Sequence, residues 1–332
     1  MKKKIIGVLV LMLMVIPFIA PMKVNAEPLP GTLYPINNLF PDTNLAEEMV
    51  NVFGKVNVTD MVTQGDFDLV TTLDLSSLSI TNIEGLQYFD NLEYLSLADN
   101  NISDISKLSG LTSLQGLDLA QNVILSNISA LSGLVNLEYL YLYENDISDI
   151  TALSGLINLI ELDLSRNNIS NISVLNGLTS LGYLNVSSNH IADLTLSGFT
   201  GDISANDQTV AMTKKLTSDG KLIITNPFKY VNGDIMAPDI ISHGGIYDPI
   251  TNTITWVGVV AGSIEGFEFG SFGQFQFDGE ATVTALAYEA PLAEPGEENP
   301  RTSDINTITM ITTSLLAIAG IGYVIYSARK KQ

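Results

Sequence analysis

The chain has 332 residues, with 36 acidic and 15 basic side chains and no cysteine. Seven of the basic residues lie in the first 23 and the last four positions, so residues 27–302 carry 8 basic and 35 acidic groups, a formal net charge of −27. A surface this acidic repels nucleic-acid phosphate, and a chain without cysteine has neither a disulfide framework nor a thiolate metal site.

The first 26 residues have the layout of a secretory signal peptide. Three lysines at positions 2–4 are followed by an apolar run from Ile5 to Ala20 and by the sequence Val-Asn-Ala, which ends at Ala26. A basic start, an apolar centre and a small-residue end predict export, with cleavage after Ala26. The alternative is an uncleaved membrane anchor, which the helix-breaking Pro17 and Pro21 disfavour.

A motif of about 22 residues repeats from position 70 onward. Successive copies are 22, 22, 23, 22 and 22 residues apart and share the pattern L-x-x-L-x-L-x-x-N-x-I-x-x-I-x-x-L-x-G-L. Six phased copies predict a leucine-rich-repeat solenoid over residues 70–200. The copies begin at Val70, Leu92, Leu114, Leu137, Leu159 and Leu181.

Each recurring position of the motif has an expected structural role. The L-x-L segments, such as Leu95 to Leu97, predict short strands whose leucines point into the core and which stack into a parallel sheet on a concave face. The later isoleucines and leucines are expected to fill the core from the convex side. The recurring asparagine amide is expected to bond backbone groups where the chain leaves each strand, which forms a ladder. These asparagines are Asn100, Asn122, Asn145, Asn167 and Asn189.

Two copies depart from the pattern. The copy that begins at Leu114 has one extra residue, which we place between Ile124 and Ile128, where it is expected to bulge on the convex side without disturbing the strand. The first copy has Leu78 in place of the ladder asparagine, as is typical of a terminal repeat that lacks a full neighbour.

The residues that flank the strand leucines point away from the core and predict the functional surface. Five of the 12 tyrosines fall in these positions, and three of them share one strand, with acidic residues on the neighbouring strands. Exposed tyrosines on a rigid sheet are typical protein-binding anchors, whereas the alternative is that tyrosine simply tolerates a strand surface. The predicted binding residues are Tyr94, Asp118, Tyr139, Tyr141, Tyr143, Glu161, Asp163 and Tyr183.

The repeats and the segment before them resemble the internalin family of bacterial surface proteins. The step Asp-Ile-Ser/Thr after Asn-x-Ile, at Asp104-Ile105 and Asp149-Ile150, resembles the internalin repeat. Residues 36–69 resemble the helical cap that closes the internalin array, with Pro41-Asp42 as the start signal of a helix. The resemblance implies an N-terminal α-helical cap over 27–69.

The resemblance continues beyond the array and covers roughly residues 35–288 in all. The segment ISHGGIYD, which begins at Ile241, is similar to the Ig-like module of internalins and implies an Ig-like β-sandwich over 201–288. Independently, β-rich segments bounded by glycine, proline and asparagine predict a small sandwich, with Trp256 in its core rather than in a ligand site. These segments are 208–214, 221–225, 253–260, 264–277 and 280–287.

The C-terminal end has the layout of a surface anchor. A short linker, 289–298, precedes the motif Asn299-Pro300-Arg301-Thr302-Ser303, an apolar transmembrane span over 305–328 and a basic tail, 329–332. The span is long enough to cross a bilayer, and the basic tail predicts that everything before the span lies outside the cell.

The motif resembles the N-P-x-T-N/S type of sortase signal, whereas internalins usually carry L-P-x-T-G; Asn299 and Ser303 are the departures. The resemblance implies that Thr302 is the acyl donor joined to the peptidoglycan. The alternative is a plain transmembrane anchor that is never cut.

With the resemblance, these features predict an extracellular, wall-anchored adhesin whose concave face binds a protein partner on a host cell or another surface. The alternative is an envelope-associated structural or glycan-binding protein that serves the bacterium itself. We predict no catalysis, cofactor or metal, because His190 and His243 lie near no nucleophile-and-base spacing and no loop shows a calcium-ligand spacing. The expected partners are a protein, sortase and peptidoglycan, but not nucleic acid.

Overall fold

A helical cap, a repeat array and a module of longer strands follow one another along the chain. The computed structural model describes residues 33–269 and 276–288, which belong to one compact unit, Met1–Tyr288. The predicted signal peptide, linker, sortase motif and membrane span lie outside these residues. In the part of the chain that is described, no helix is long and apolar enough to cross a bilayer.

One aspartate begins the main helix of the cap and fastens the cap to the array. Asp42 is the N-cap of this helix, as predicted, because its Oδ1 accepts hydrogen bonds from the N–H groups of Asn44 and Leu45. Its other oxygen accepts from the N–H groups of Thr81 and Asn82 in the first repeat, at 2.8 and 3.2 Å. The cap contains the antiparallel strands β1 (Tyr34–Pro35) and β2 (Met61–Val62) and the helices α1 (Ile36–Leu39), α2 (Thr43–Val52) and α3 (Gln64–Phe67).

Aromatic packing also joins the cap to the first repeat. The ring of Phe67, in α3, has its centroid 4.7 Å from that of Phe89 and 4.8 Å from that of Phe53. Phe67 and Phe89 are fully buried. Because Phe89 belongs to the first repeat, the cap covers an apolar end of the array that would otherwise face water.

Six short parallel strands form the sheet of the array, in register with one another. Leu95 and Leu97 are buried, as are the residues at the corresponding positions of the other copies, which confirms the predicted inward pattern. The strands are β3 (Thr72–Asp74), β4 (Tyr94–Ser96), β5 (Gly116–Asp118), β6 (Tyr139–Tyr141), β7 (Glu161–Asp163) and β8 (Tyr183–Asn185). Short 3₁₀ helices follow in the first five copies, at Leu86–Tyr88, Ser106–Leu108, Ser129–Gly133, Thr151–Gly155 and Ser173–Gly177.

The recurring asparagines form the predicted ladder. The Nδ2 of the fully buried Asn122 donates to the carbonyl oxygens of Leu97 and Leu119, both at 3.0 Å. Its Oδ1 accepts a hydrogen bond from the N–H of Ile102 at 2.9 Å. One side chain therefore satisfies buried backbone groups on its own copy and on the copy before it.

The extra residue of the third copy lies earlier than predicted. Leu125 is fully buried at the isoleucine position of this copy, while Val123 and Ile124 are 65% and 54% exposed. The chain therefore loops out between the ladder asparagine and Leu125, and the strands on either side stay in register. The prediction that the extra residue lies between Ile124 and Ile128 is wrong. Ile124 and Leu125 are adjacent aliphatic residues, either of which could fill the one core position, and residue type alone does not decide which is buried.

The module of longer strands continues the sheet of the array. Its first strand pairs in parallel with β8 through Asp202–Ser204 and also pairs in parallel with the last strand of the module. The array and the module thus share a ten-stranded sheet, and the module adds a second sheet of three strands. The strands are β9 (Asp202–Lys215), β10 (Leu222–Thr225), β11 (Ile240–Ile241), β12 (Ile246–Asp248), β13 (Thr253–Trp256), β14 (Ile264–Phe269) and β15 (Gln276–Leu286).

The ladder extends by one position into this module. Gln208 is fully buried, its Nε2 donates to the carbonyl oxygen of Val186 at 2.9 Å, and its Oε1 accepts from the N–H of Ile191 at 2.9 Å. These are the bonds that the asparagines make in the earlier copies. The start of β9 is therefore a seventh turn of the array, which was not predicted.

Strand boundaries in the module differ from the predicted segments. The strand predicted over 253–260 ends at Trp256, and the segment predicted over 264–277 contains a strand that ends at Phe269. Trp256 is buried, as predicted, and its Nε1–H donates to the carbonyl oxygen of Ser242 at 2.9 Å. The indole is therefore held as part of the core.

Candidate binding surface

The side of strands β3 to β8 that points away from the leucine core is here called the open sheet face. Strand register aligns its side chains in rows across the sheet. The first row contains Thr72, Tyr94, Gly116, Tyr139, Glu161 and Tyr183. The second row contains Asp74, Ser96, Asp118, Tyr141, Asp163 and Asn185. The third row, just beyond the strand ends, contains Ser76, Ala98, Ala120, Tyr143, Ser165 and Ser187. All eight predicted binding residues lie in these rows.

Tyr94 lies across the neighbouring strand. A Cβ atom on Gly116 would come within 2.7 Å of the Cδ1 atom of Tyr94, so the ring occupies space that any side chain at Gly116 would need. The Tyr94 hydroxyl donates a hydrogen bond to Oε1 of Gln115 at 3.1 Å, and the residue is 40% exposed. The missing side chain at Gly116 therefore lets Tyr94 lean onto the sheet.

A shallow depression of about 330 Å³ opens on the open sheet face beside Tyr94. Its lining spans strands β3 to β6 and includes the glycine of the first row. The predicted binding residues that line it are Tyr94, Asp118, Tyr139 and Tyr141. The other predicted residues, Tyr143, Glu161, Asp163 and Tyr183, lie on the same face outside this lining.

Two of the tyrosines on β6 and its extension keep their protons. Burial and the charge of Glu161, which also accepts a hydrogen bond from the hydroxyl, raise the pKa of Tyr141 to about 12. Burial and the charge of Asp118 also raise the pKa of Tyr143. Both side chains therefore stay neutral at physiological pH, and the single O–H of Tyr141 is directed to Glu161.

Within the described part of the chain, the acidic groups of the open sheet face form no salt bridge. Lys107 and Arg166 are the basic residues between positions 70 and 200. Lys107 is paired with Glu84 at 2.5 Å, and Arg166 with Glu144. The surface therefore presents a negative field to an approaching partner.

The histidines belong to other parts of the molecule. His190 follows the last ladder asparagine, and its Nδ1 lies 2.8 Å from both oxygens of Thr209. His243 lies in the module, with its Nδ1 2.8 Å from Oε2 of the buried Glu265. Within residues 33–269 and 276–288, no group of three or more histidine and acidic side chains is arranged to hold a metal ion.

Two small residues shape this face, although sequence reasoning did not single them out. Gly116 leaves room for the ring of Tyr94. Ala120 occupies the position at which the repeats that contain Asp74 and Asp163 have a serine. Aligning the six copies position by position would identify Gly116 and Ala120, because each is smaller than the residues at the same position in most other copies. Neither residue carries a functional group, so a search for chemistry-bearing side chains passes over them.

Family comparisons match both the cap and the array. A family described as "Bacterial adhesion/invasion protein N terminal" (Internalin_N) matches residues 24–68. A family of leucine-rich repeats (two copies) matches residues 90–133, 112–155 and 157–198. The segment before the repeats and the repeats themselves therefore each resemble known sequences.

Several individual proteins that this chain resembles are internalins or internalin-like proteins of Listeria monocytogenes. Internalin H of this organism is 50% identical over 68 residues, which are 20% of this chain and 12% of that protein, so the match spans far less than two thirds of its length. Internalin C2 of the same organism, in its crystal structure, is 32% identical, with 56% of this chain and 90% of that chain covered and a TM-score of 0.44. A secreted internalin-like protein of Listeria monocytogenes is 21% identical, with 78% and 100% covered and a TM-score of 0.58, which shows a shared fold.

Proposed function

Because this chain belongs to the internalin family, we propose that it is an exported binding protein whose open sheet face recognises a protein partner, on a host cell or another surface. The observation that carries the proposal is the group Tyr139, Tyr141 and Tyr143 on β6 and its extension, with acidic residues on both neighbouring strands. Tyrosine supplies a large contact area with few rotatable bonds and a hydroxyl for hydrogen bonding, which is why it is frequent at binding hot spots.

The position of these tyrosines supports the proposal further. They are half-buried among one another and their neighbours, so little side-chain freedom remains to be lost on binding. The sheet beneath them is held by buried leucines and by the asparagine ladder. A rigid platform with aromatic side chains is suited to bind a protein surface without rearrangement.

The test replaces Tyr139, Tyr141 and Tyr143 together by serine in residues 27–298. We expect binding to the partner or to host cells to fall at least about 100-fold, since a hot-spot aromatic contributes ~2 kcal/mol or more. Binding is measured by titration of labelled protein on cells, with Tyr288→Ser as the control because Tyr288 is exposed in the module, away from this face. Undiminished binding by a triple variant with unchanged thermal unfolding would refute the site.

A second function is favoured by the short predicted linker. Residues 289–298 span at most ~35 Å when fully extended, which keeps the binding face near the envelope. An envelope-associated structural or glycan-binding protein that serves the bacterium itself would not need a longer linker. Purified residues 27–298 discriminate between the two: an adhesin binds host cells, whereas this alternative binds isolated peptidoglycan and leaves host cells unlabelled.

We further propose the division into a cap over 27–69, repeats over 70–200 and an Ig-like sandwich over 201–288. The two sheets of the last segment and the parallel pairing of its first strand with its last strand support an Ig-like arrangement. A C-terminal membrane span over 305–328 completes the proposed organisation.

The proposed anchor depends on Thr302 as the residue that sortase joins to peptidoglycan. Thr302→Ala is expected to move the protein from the wall fraction to the membrane fraction, because the acyl donor can no longer be processed. Fractionation of cells that express the variant is the measurement, with Thr307→Ala, outside the motif, as the control. Retention of the Thr302→Ala protein in the wall fraction would favour an anchor independent of sorting.

A further inference from the structure

Asp118 differs from the two aspartates that share its position in other copies. Asp74 accepts hydrogen bonds from both the N–H and the hydroxyl of Ser76, at 3.0 and 2.5 Å. Asp163 accepts the corresponding bonds from Ser165, at 2.8 and 2.6 Å. In each of these two copies, Oδ1 of the aspartate therefore accepts two hydrogen bonds from the serine two residues later.

Asp118 lacks the hydroxyl partner because residue 120 is alanine. Its Oδ1 accepts a hydrogen bond from the N–H of Ala120 at 2.9 Å, and its Oδ2 has no donor among the described residues. Asp163 has a further donor in Asn185, at 3.0 Å. Among the described residues, Asp118 thus accepts fewer hydrogen bonds than Asp74 or Asp163, so its carboxylate has the most unused accepting capacity of the three.

The electrostatic surroundings of Asp118 also favour a cation. Burial raises the pKa of Asp118, the N–H of Ala120 lowers it in part, and the negative charges of Asp74 and Asp163 raise it again. The two basic residues of the repeats are already held by Glu84 and Glu144. A positive charge supplied from outside the chain would relieve this repulsion.

The shape beside Asp118 fits a planar cation. Asp118 lines the depression together with Tyr94 and Tyr141. A guanidinium group stacks on aromatic faces and binds a carboxylate through two parallel N–H bonds, whereas an ammonium group acts as a point charge. The combination of ring and carboxylate therefore selects arginine over lysine.

We propose that Asp118, Tyr94 and Tyr141 form a socket for a single arginine side chain of the protein partner. This inference rests on the proposed function, because it assigns the chemistry of the partner at the open sheet face. Asp118 provides the charge and the bidentate acceptor, and the tyrosine rings provide the stacking surface. Asp163, two strands away, is saturated by its own serine and asparagine and does not take part.

The test uses the full chain in a mild non-ionic detergent and three peptide probes. These probes are acetyl-Gly-Arg-Gly-amide, the same peptide with citrulline as a neutral isostere, and the same peptide with lysine. Ligand-observed NMR titration gives their dissociation constants. We expect the arginine probe to bind about tenfold or more tightly than the citrulline probe, since charge-assisted bidentate bonds are the strong ones.

Two variants and one matched control probe the role of Asp118 itself. Asp118→Asn is expected to weaken binding of the arginine probe about tenfold, because the carboxylate charge is lost. Ala120→Ser is expected to weaken it about threefold, because the serine hydroxyl would bond to Oδ1, as in the other copies, and reduce the remaining accepting capacity of the carboxylate. Asp163→Asn is expected to change binding less than about twofold. Circular dichroism melts verify that each variant is folded.

Equal binding of the arginine and citrulline probes, equal binding of lysine and arginine, or unaltered binding by Asp118→Asn would each overturn the socket. Loss of partner binding in the triple tyrosine variant, with no effect of Asp118→Asn, would overturn the socket and leave the proposed function intact. Arginine binding that depends on Asp118, with partner binding that survives the tyrosine changes, would support the socket and contradict the proposed use of the face.

Discussion

Asn122→Ala is expected to lower the free energy of unfolding by about 3 kcal/mol, since a buried group left without a partner costs ~1–3 kcal/mol and favourable bonds are lost as well. The N–H of Ile102 loses the oxygen that it binds at 2.9 Å, and it has no other acceptor among the described residues. The carbonyl oxygens of Leu97 and Leu119 each lose one of their two amide donors. Because repeats are stabilised by their nearest neighbours, the damage should extend to the adjoining copies.

Urea denaturation followed by circular dichroism measures this loss. The matched control is Asn101→Ala, one position after the ladder asparagine of the preceding copy, where the asparagine side chain is exposed. The control is expected to change stability by less than about 0.5 kcal/mol. A similar small change for Asn122→Ala would mean that the ladder amide is replaceable by water, contrary to its complete burial.

Gly201→Ala is expected to destabilise the junction between array and module by about 2 to 3 kcal/mol, the usual range for overpacking. A Cβ atom at this position would lie 2.4 Å from the carbonyl oxygen of Gly182 and 2.7 Å from its carbonyl carbon. Both are backbone atoms, so no side chain can move aside. The same carbonyl accepts the N–H of Asp202 at 2.8 Å, which is where β9 begins to pair with the array.

The thermal midpoint is the measurement for this prediction, with Gly177→Ala as the control. Gly177 is also a repeat glycine, but a Cβ there meets no atom within 4 Å. The control is therefore expected to change the free energy of unfolding by less than about 0.5 kcal/mol and to leave the thermal midpoint nearly unchanged. Equal midpoints for both variants would show that the strands at the junction move apart without penalty.

The array could be predicted from the sequence because its core positions recur with one phase. Leu95 and Leu97 have equivalents in each copy, and the burial of a repeated position needs no knowledge of distant neighbours. The same logic failed at the third copy, where Val123, Ile124 and Leu125 are adjacent aliphatic residues. Their hydrophobicity is similar, and the geometry of the loop decides which of them enters the core.

The seventh turn could not be predicted, because its sequence no longer matches the motif. Ile203 and Ala205 are buried where the earlier copies have leucine, and Gln208 acts where they have asparagine. Glutamine has the same amide as asparagine on a chain longer by one methylene, so the hydrogen bonds persist while the letters change. Because the motif residues are replaced, the sequence pattern ends one turn before the structural array does.

The location of the candidate surface could be predicted, but its shape could not. Strand periodicity alone assigns Tyr139 and Tyr141 to the solvent side of the sheet. The position of Tyr94 depends on the absence of a side chain at Gly116, which is 22 residues away in the chain and adjacent in the sheet. Contacts of this kind between copies cannot be predicted from the sequence of one copy alone.

The parallel pair formed by β9 and β15 has a mechanical consequence. Its partners run from Gln276 beside Ser204 to Leu286 beside Lys215, so the two strands point the same way. A pull on the C-terminal end of β15, resisted at the N-terminal end of β9, acts along the strands and strains their hydrogen bonds together in shear. Breaking the hydrogen bonds between β9 and β15 one after another would instead require a force perpendicular to the strands. A molecule that is held from its C-terminal side while its repeats grip a partner would carry tension through this pair.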